Sequence, residues 1–488
     1  MRAVRHDAGV TDPFAGLEPV AFWRHFQALT GIPRASHEEE QAVAYVLAWA
    51  DARGYATRRD AAGNLVVAVP AAGGRERAGT VVLQGHLDMV CEREPATPYD
   101  PRAGRIHVLR DGDWLLADGT TLGADNGVAI AAMLALAEDG AGAHGPLELL
   151  MTVAEEVGLE GAAALDPDLI SGDVLLNLDS EEDATLTVGS AGSVDTVVRL
   201  DAPRSPVDGG RLRVTVGGAR GGHSGGDIAL GRANAIKVLA RALRAAPELR
   251  IVSLDGGTAR NAIPRDATAV VVAGAAGRAA IEAEAAVIAD AYRCADPGVR
   301  VALADEPDGI ARAGAWSAHD SARILDLIAA IPVGPLGMSA DFPGVVETSS
   351  SLGVAATEGS TLALRSLSRS AADALLPDVT DAIAAAGRLA GARVERGTGY
   401  PGWRPDLGSP VLATAIAVHE RLFGAPPRVS LTHGGLEAAL IAAKRPGTDA
   451  ISFGPEIQGP HAPGERLSIP SAARFMRLLA ALVDELSR

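Results

Sequence analysis

Five residues of metal-binding type are spread through the chain, each where a buried strand or helix is expected to begin or end: His86, Asp125, Glu156, Asp179 and His461. The first lies in Leu83-Gln-Gly-His86-Leu-Asp88-Met. In an extended segment residues i and i+2 face the same way, so Asp88 is placed to hydrogen-bond the imidazole and fix its tautomer. Thr121-Leu-Gly-Ala-Asp125-Asn-Gly puts a carboxylate at the start of a predicted helix, and Glu155-Glu156 closes the apolar run that begins at Leu147. Val174-Leu-Leu-Asn-Leu-Asp179 is a third such run, and Gly459-Pro-His461 completes the set far downstream. Two imidazoles and three carboxylates form a mixed nitrogen and oxygen donor set, suited to zinc or another borderline divalent ion. Five donors exceed the needs of one tetrahedral zinc and fit two ions that share a bridging carboxylate.

The elements that must position these groups alternate. Helical spacing is expected at Leu17 to Leu29, Glu38 to Ala52 and Asn126 to Glu138, and strands at Leu65 to Val69, Thr80 to Leu83, Leu147 to Val153 and Val174 to Leu178. Alternation of this kind predicts an α/β fold, a central mixed sheet flanked by helices, with ligands bound beyond the carboxyl ends of strands. A middle zone, 195–397, adds strands at Arg211 to Val216, Thr268 to Ala273 and Ser360 to Leu367 with four helical stretches between and after them. It reads as an inserted α+β lid domain. The catalytic domain then consists of 1–194 and 398–488, because His461 is needed to complete the donor set of the first zone.

Bulk composition excludes several function classes. At 488 residues the chain exceeds one ordinary core. A formal net charge of −17 argues against nucleic acid and anionic membranes as partners. Cys91 and Cys294 form no disulfide framework. The stretch Met1-Arg-Ala-Val-Arg-His-Asp carries no apolar leader, and no apolar run spans a bilayer, so a cytoplasmic location is expected. The glycine-rich turns lack phosphate-loop spacing. His107, His144, His319 and His419 sit outside any ligand spacing and read as structural or surface residues. Glu181 and Glu182 extend the Asp179 loop and read as solvated loop carboxylates, contact with a substrate amine being the alternative.

With these motifs in view, the chain resembles the superfamily of co-catalytic two-zinc aminopeptidases, aminoacylases and carboxypeptidases. His86-x-Asp88, Gly123-Ala-Asp125-Asn-Gly, Glu155-Glu156, Asp179 and His461 carry that resemblance. Longer phrases are similar to the aminoacyl-histidine dipeptidases, the Xaa-His or carnosinase-like branch: His86-Leu-Asp-Met-Val, Asn177-Leu-Asp-Ser-Glu-Glu, Gly221-Gly-His-Ser-Gly-Gly, Arg260-Asn-Ala-Ile-Pro-Arg and Gly399-Tyr-Pro-Gly-Trp. The resemblance covers nearly the whole chain.

It implies that His86 and Asp179 hold one zinc, that Glu156 and His461 hold the other, and that Asp125 bridges them, with manganese or cobalt also accepted. Glu155 is then the general base and Asp88 the residue that orients His86. In the lid, His223 is expected to face the developing oxyanion. Asn261 is expected to bind the substrate backbone. Arg365, or the amides of Gly434 and Gly435 ahead of a helix, would receive the substrate carboxylate; His433 and Glu437 would hold that loop. Small dipeptides with a free amino terminus are the implied substrates. An N-acyl amino acid amidohydrolase, a broader di- or tripeptidase and a non-catalytic zinc-binding relative remain the alternatives. A homodimer and a self-sufficient monomer are both compatible with the lid.

Overall fold

The computed structural model describes residues 12–138, 143–306 and 314–488; the amino-terminal stretch read for a leader lies outside them. The chain divides into two compact units. The first is Met1–Gly189, Pro405–Ser430 and Leu436–Arg488, and the second is Ser190–Arg404 with Leu431–Gly435. No helix among the described residues is long and apolar enough to cross a membrane.

The first unit is built on an eight-stranded mixed sheet. Its strand order is Ala56–Arg59, Leu65–Val69, Leu147–Thr152, Val81–His86, Val174–Asn177, Asp449–Ser452, Thr185–Ser190 and Arg428–Thr432. Val81–His86 runs parallel to both its neighbours, pairing Val81 with Leu147 and with Val174. Asp449–Ser452 continues the parallel run beside Val174–Asn177. All six residues of Val81–His86 and of Leu147–Thr152 are buried, as expected of central parallel strands covered on both faces.

Helix Ala124–Glu138 is buried from Ala124 to Ala137 and carries no polar stripe, which marks it as an interior helix. It packs on the strand Val81–His86 and on helix Val20–Thr30. Gly85 makes the close approach to the sheet possible, because a Cβ there would collide with Asn126 and Ala129. A second, four-stranded sheet in this unit joins Ile457–Gln458, Arg466–Ser468, Trp114–Ala117 and Val108–Asp111.

The second unit is an α+β layer. Its sheet runs Arg300–Asp305, Arg211–Gly217, Ala267–Val272, Arg250–Gly256, Val346–Glu358, Thr361–Ser370, Gly192–Asp201 and Arg393–Arg396, with Gly334–Met338 added beside Val346–Glu358. The registered pairs of this sheet are antiparallel. Helices Ala235–Arg244, Ala318–Ala330 and Leu376–Leu389 bury Ile236, Leu239, Ile324, Ile328 and Ile383 in one core with the sheet residues Val214, Val271 and Leu364.

Candidate functional site

In the first unit the strand ends deliver the metal-type residues to one place. Asn126 ties two of those ends together: its Oδ1 accepts the His86 amide at 3.2 Å and its Nδ2 donates to the Leu178 carbonyl at 3.0 Å. His86 Nδ1 lies 3.1 Å from the Asp88 carbonyl and 3.4 Å from its carboxylate, so the nearer acceptor is the backbone rather than the side chain. That arrangement leaves Nε2 facing carboxylates, with Asp125 Oδ1 at 3.0 Å, Asp179 Oδ1 at 3.5 Å and Glu155 Oε2 at 3.9 Å.

Glu155 and Glu156 leave the strand Leu147–Thr152 through Ala154, whose φ of 51° is left-handed. A residue with a Cβ pays for that conformation, and Glu39 holds it by accepting the Ala154 amide at 2.9 Å. His461 is likewise left-handed, at φ 62°. Its Nε2 lies 3.0 Å from Asp125 Oδ2 and 3.0 Å from Glu156 Oε2. Asp125 is therefore bracketed, one oxygen toward His86 and the other toward His461, the placement a bridging carboxylate requires.

The electrostatics call for a cation. Burial, reinforced by the facing charges of Glu156, Asp179 and Glu437, pushes Glu155 well above the usual carboxylate range. Burial and Asp125 raise Glu156, and burial raises Asp179 to about 6 against the pull of His86. Burial opposes charge on His86, yet Asp179, Asp125 and Asp88 drive its pKa well above that of an ordinary imidazole. His461 is driven up to about 11 against burial, by its bonds to Asp125 and Glu156. Like charges crowded in low dielectric raise one another's pKa, and a bound cation relieves them.

Two further observations fit a metal. Donor atoms of His86, Asp125 and Glu156 all lie within 4.8 Å of one another. Glu156 Oε1 is buried without a hydrogen-bond partner. Five oxygen and nitrogen donors of this type suit divalent zinc, manganese or cobalt.

Buried polar residues around the cluster support it; of these Glu437 was expected only to hold its loop, and Gln84, Arg34 and Glu465 had no signal in the sequence motifs. Glu437, fully buried, accepts Gln84 Nε2 at 2.6 Å and Thr152 Oγ1 at 2.5 Å, and burial lifts it to about 7. Gln84 in turn accepts Asn177 Nδ2 at 2.6 Å. Arg34 and Glu465, both buried, grip the loop that carries Asp125. Arg34 and Glu465 are lone charged residues outside any ligand spacing.

The second unit holds the other predicted groups. Gly222–His223 pairs with Ala262–Ile263, and the Ser224 amide donates to the Asn261 carbonyl at 2.8 Å, so His223 and Asn261 lie on adjoining segments. Arg365, expected to receive the substrate carboxylate, is exposed, and the guanidinium beside His223 belongs to Arg369. Arg369 is 4% exposed, donates to Tyr400 Oη at 3.1 Å and has Nη2 3.5 Å from His223 Nε2. The expected strand stopped at Leu367, but pairing continues through the serine-rich run to Ser370 and carries Arg369 inside.

Gly434 and Gly435 also differ from expectation. They belong to the second unit rather than to the carboxyl-terminal part of the first. The Gly434 amide donates to Thr432 Oγ1 at 3.1 Å, and Gly435 is small because a Cβ there would meet the Tyr400 ring. His433 Nε2 lies 2.7 Å from Ser349 Oγ.

Comparison with known proteins agrees with this geometry. A model of the peptidase family M20/M25/M40 matches residues 82–485. The cytosol non-specific dipeptidase of Escherichia coli strain K12 is 36% identical over 483 residues, covering 96% of this chain and 98% of that protein. Among solved structures, the aminoacylhistidine dipeptidase from Vibrio alginolyticus matches with a TM-score of 0.82 at 34% identity, covering 97% of this chain and 98% of that one. Aminopeptidase PepT from Bacillus cereus shares the fold at a TM-score of 0.56 and 16% identity, over 97% and 100% of the two chains. With the family model spanning most of its length and a relative aligned over nearly all of it, the chain belongs to peptidase family M20/M25/M40.

Proposed function

We propose that the protein is a metal-dependent dipeptidase that hydrolyses Xaa-His and related dipeptides with a free amino terminus, working in the cytosol as its Escherichia coli relative is named to do. The observation that carries the reading is Asp125, held with one oxygen toward His86 and the other toward His461. His86 and Asp179 would hold one ion, Glu156 and His461 the second, and Asp125 both. When bound, two divalent ions polarise a peptide carbonyl and make an attacking water more acidic.

Glu155 acts as general base. A carboxylate oxygen takes the proton of the attacking water and returns it to the nitrogen of the leaving amine. The Glu155 carboxylate lies 3.9 Å from His86 Nε2, beside the groups that would hold the ions. Asp88 fixes the His86 ring and the backbone of Glu155 and Glu156. In the second unit, His223 serves as a donor to the developing oxyanion and Arg369 receives the substrate carboxylate, since a guanidinium binds carboxylates through a bidentate fork.

Hydrolysis of β-Ala-His, Gly-His, Ala-Leu and N-acetyl-His by zinc-reconstituted protein, with and without chelator, tests the reading. Chelator-sensitive cleavage of the free-amine dipeptides, fastest for those ending in histidine, is expected. Equal rates on all three would make it a broader dipeptidase, as the Escherichia coli relative is named. Cleavage of N-acetyl-His alone would make it an amidohydrolase and end the dipeptidase reading.

A further inference from the structure

Glu465 lies four residues beyond His461 and is 2% exposed. Its Oε2 accepts the amides of Leu122 at 2.7 Å and Gly123 at 3.0 Å, and its Oε1 accepts those of Ala124 at 2.7 Å and Asp125 at 3.3 Å. Four consecutive backbone N–H groups thus converge on one carboxylate, an anion-binding concavity filled by the chain itself. The Glu465 amide closes a turn onto the Ala462 carbonyl at 3.1 Å. The next residues, Arg466–Ser468, pair with Trp114–Ala117, the strand that leads into the Asp125 loop. One side chain therefore joins the segment carrying His461 to the backbone carrying Asp125.

The same loop is tied to the His86 side by different groups. Arg34, 1% exposed, donates through Nη1 to the Leu87 and Asp88 carbonyls at 3.0 Å each and through Nη2 to the Gly123 carbonyl. Asn126 adds its bonds to the His86 amide and the Leu178 carbonyl. Removing Glu465 leaves those ties in place. It releases the hold of the His461 segment on the Asp125 backbone, leaving the strand pairing of Arg466–Ser468 and the side-chain contact of His461 with Asp125.

We propose that Glu465 is a positioning residue that couples the two halves of the metal centre, setting the distance from Asp125, common to both, to His461, which serves one. This rests on the two-ion reading of the site. Loss of Glu465 loosens the half held by Glu156 and His461 and spares the half held by His86 and Asp179.

Zinc titration of the metal-free full chain, read as ions bound per chain and affinity of each, tests this without reference to turnover. Wild-type protein should bind two ions. Glu465→Gln, which turns one acceptor into a donor facing amides, should bind one ion as tightly as wild type and the other about 10–100-fold more weakly. Should the Gln variant fail to fold by circular dichroism, Glu465→Asp, which keeps the charge but shortens the reach, is expected to show the same asymmetry. Two ions bound as in wild type, or both weakened alike, would overturn the proposal. A wild-type chain that binds a single ion would overturn the two-ion reading and this proposal with it, and that failure is seen before any variant is made.

Discussion

The Asp88 carboxylate receives the Glu155 amide on one oxygen at 3.0 Å and the Glu156 amide on the other at 3.1 Å, with Ser36 Oγ donating to it at 2.7 Å. Burial opposes its charge, but these donors and His86 hold it down to about 2. Asp88 therefore holds the backbone of Glu155, the proposed general base, and of Glu156, a proposed metal donor, as well as contacting an imidazole. Asp88→Asn must turn an amide NH2 toward a backbone N–H and displace Glu155 or Glu156. At saturating zinc, kcat should fall about 10–100-fold with the fold retained, as for other residues that support metal ligands. A variant with wild-type kcat would remove Asp88 from this role.

Glu155→Gln keeps the shape of the side chain and removes the proposed base. Turnover of β-Ala-His should drop by roughly 10²–10⁴-fold while zinc content per chain stays unchanged. Metal analysis alongside kinetics separates the two readouts, and unaltered turnover would reassign the base.

Arg369 and Arg365 sit four residues apart on one strand and should behave differently. Arg369→Ala is expected to raise KM for Gly-His by about tenfold or more, since a charge-assisted bidentate pair is lost. Arg365→Ala should leave KM as it was, its side chain being exposed. The reverse ranking would restore Arg365 to the role of carboxylate binder.

His433 makes a prediction about acid. Burial, with Arg369 beside it, lowers its pKa to about 3, whereas an unfolded histidine titrates near 6.5. The unfolded state therefore takes up a proton first as pH falls. Stability is fully present above pH ~6.5 and declines toward pH ~3, by up to about 1.4 kcal/mol per pH unit. Urea unfolding of wild type and His433→Gln, followed for the second unit, should show the gap between them narrowing from pH 7 to pH 5. Parallel curves would exclude His433 as the source.

The sequence was most legible where an apolar run stops at a charged residue. Leu147–Thr152 and Val174–Asn177 fall within a residue of their expected spans, and the clustering of His86, Glu156 and Asp179 follows from where such runs end, with Asp125 opening a helix and His461 in a loop beside them. Val81–His86 runs three residues past expectation because pairing with Leu150 to Thr152 carries the polar Gln84-Gly-His through.

The second unit was harder to read. Val346–Glu358, thirteen residues long, opens with Val-Glu-Thr-Ser-Ser-Ser and has no apolar alternation to mark it. Its partner ends in a similar serine run, Ser366 to Ser370, whose polar residues hide the inward-facing Arg369 from a reading of apolar alternation. Arg34 and Glu465 could not be read at all: a buried charge that serves backbone groups has no partner at a fixed spacing.

The position of Asp449–Ser452 has a consequence for how the chain is made. This strand lies between Val174–Asn177 and Thr185–Ser190 in the middle of the first sheet, yet a ribosome delivers it more than 250 residues after both. Until then the nascent first unit carries two bare strand edges, a state open to faulty pairing with other chains. Carboxyl-terminal truncations that stop short of Asp449 should stay protease-sensitive and chaperone-bound, and resistance should appear only in fragments that extend past Ser452. Synthesis is thus committed almost to its end before the first sheet can close.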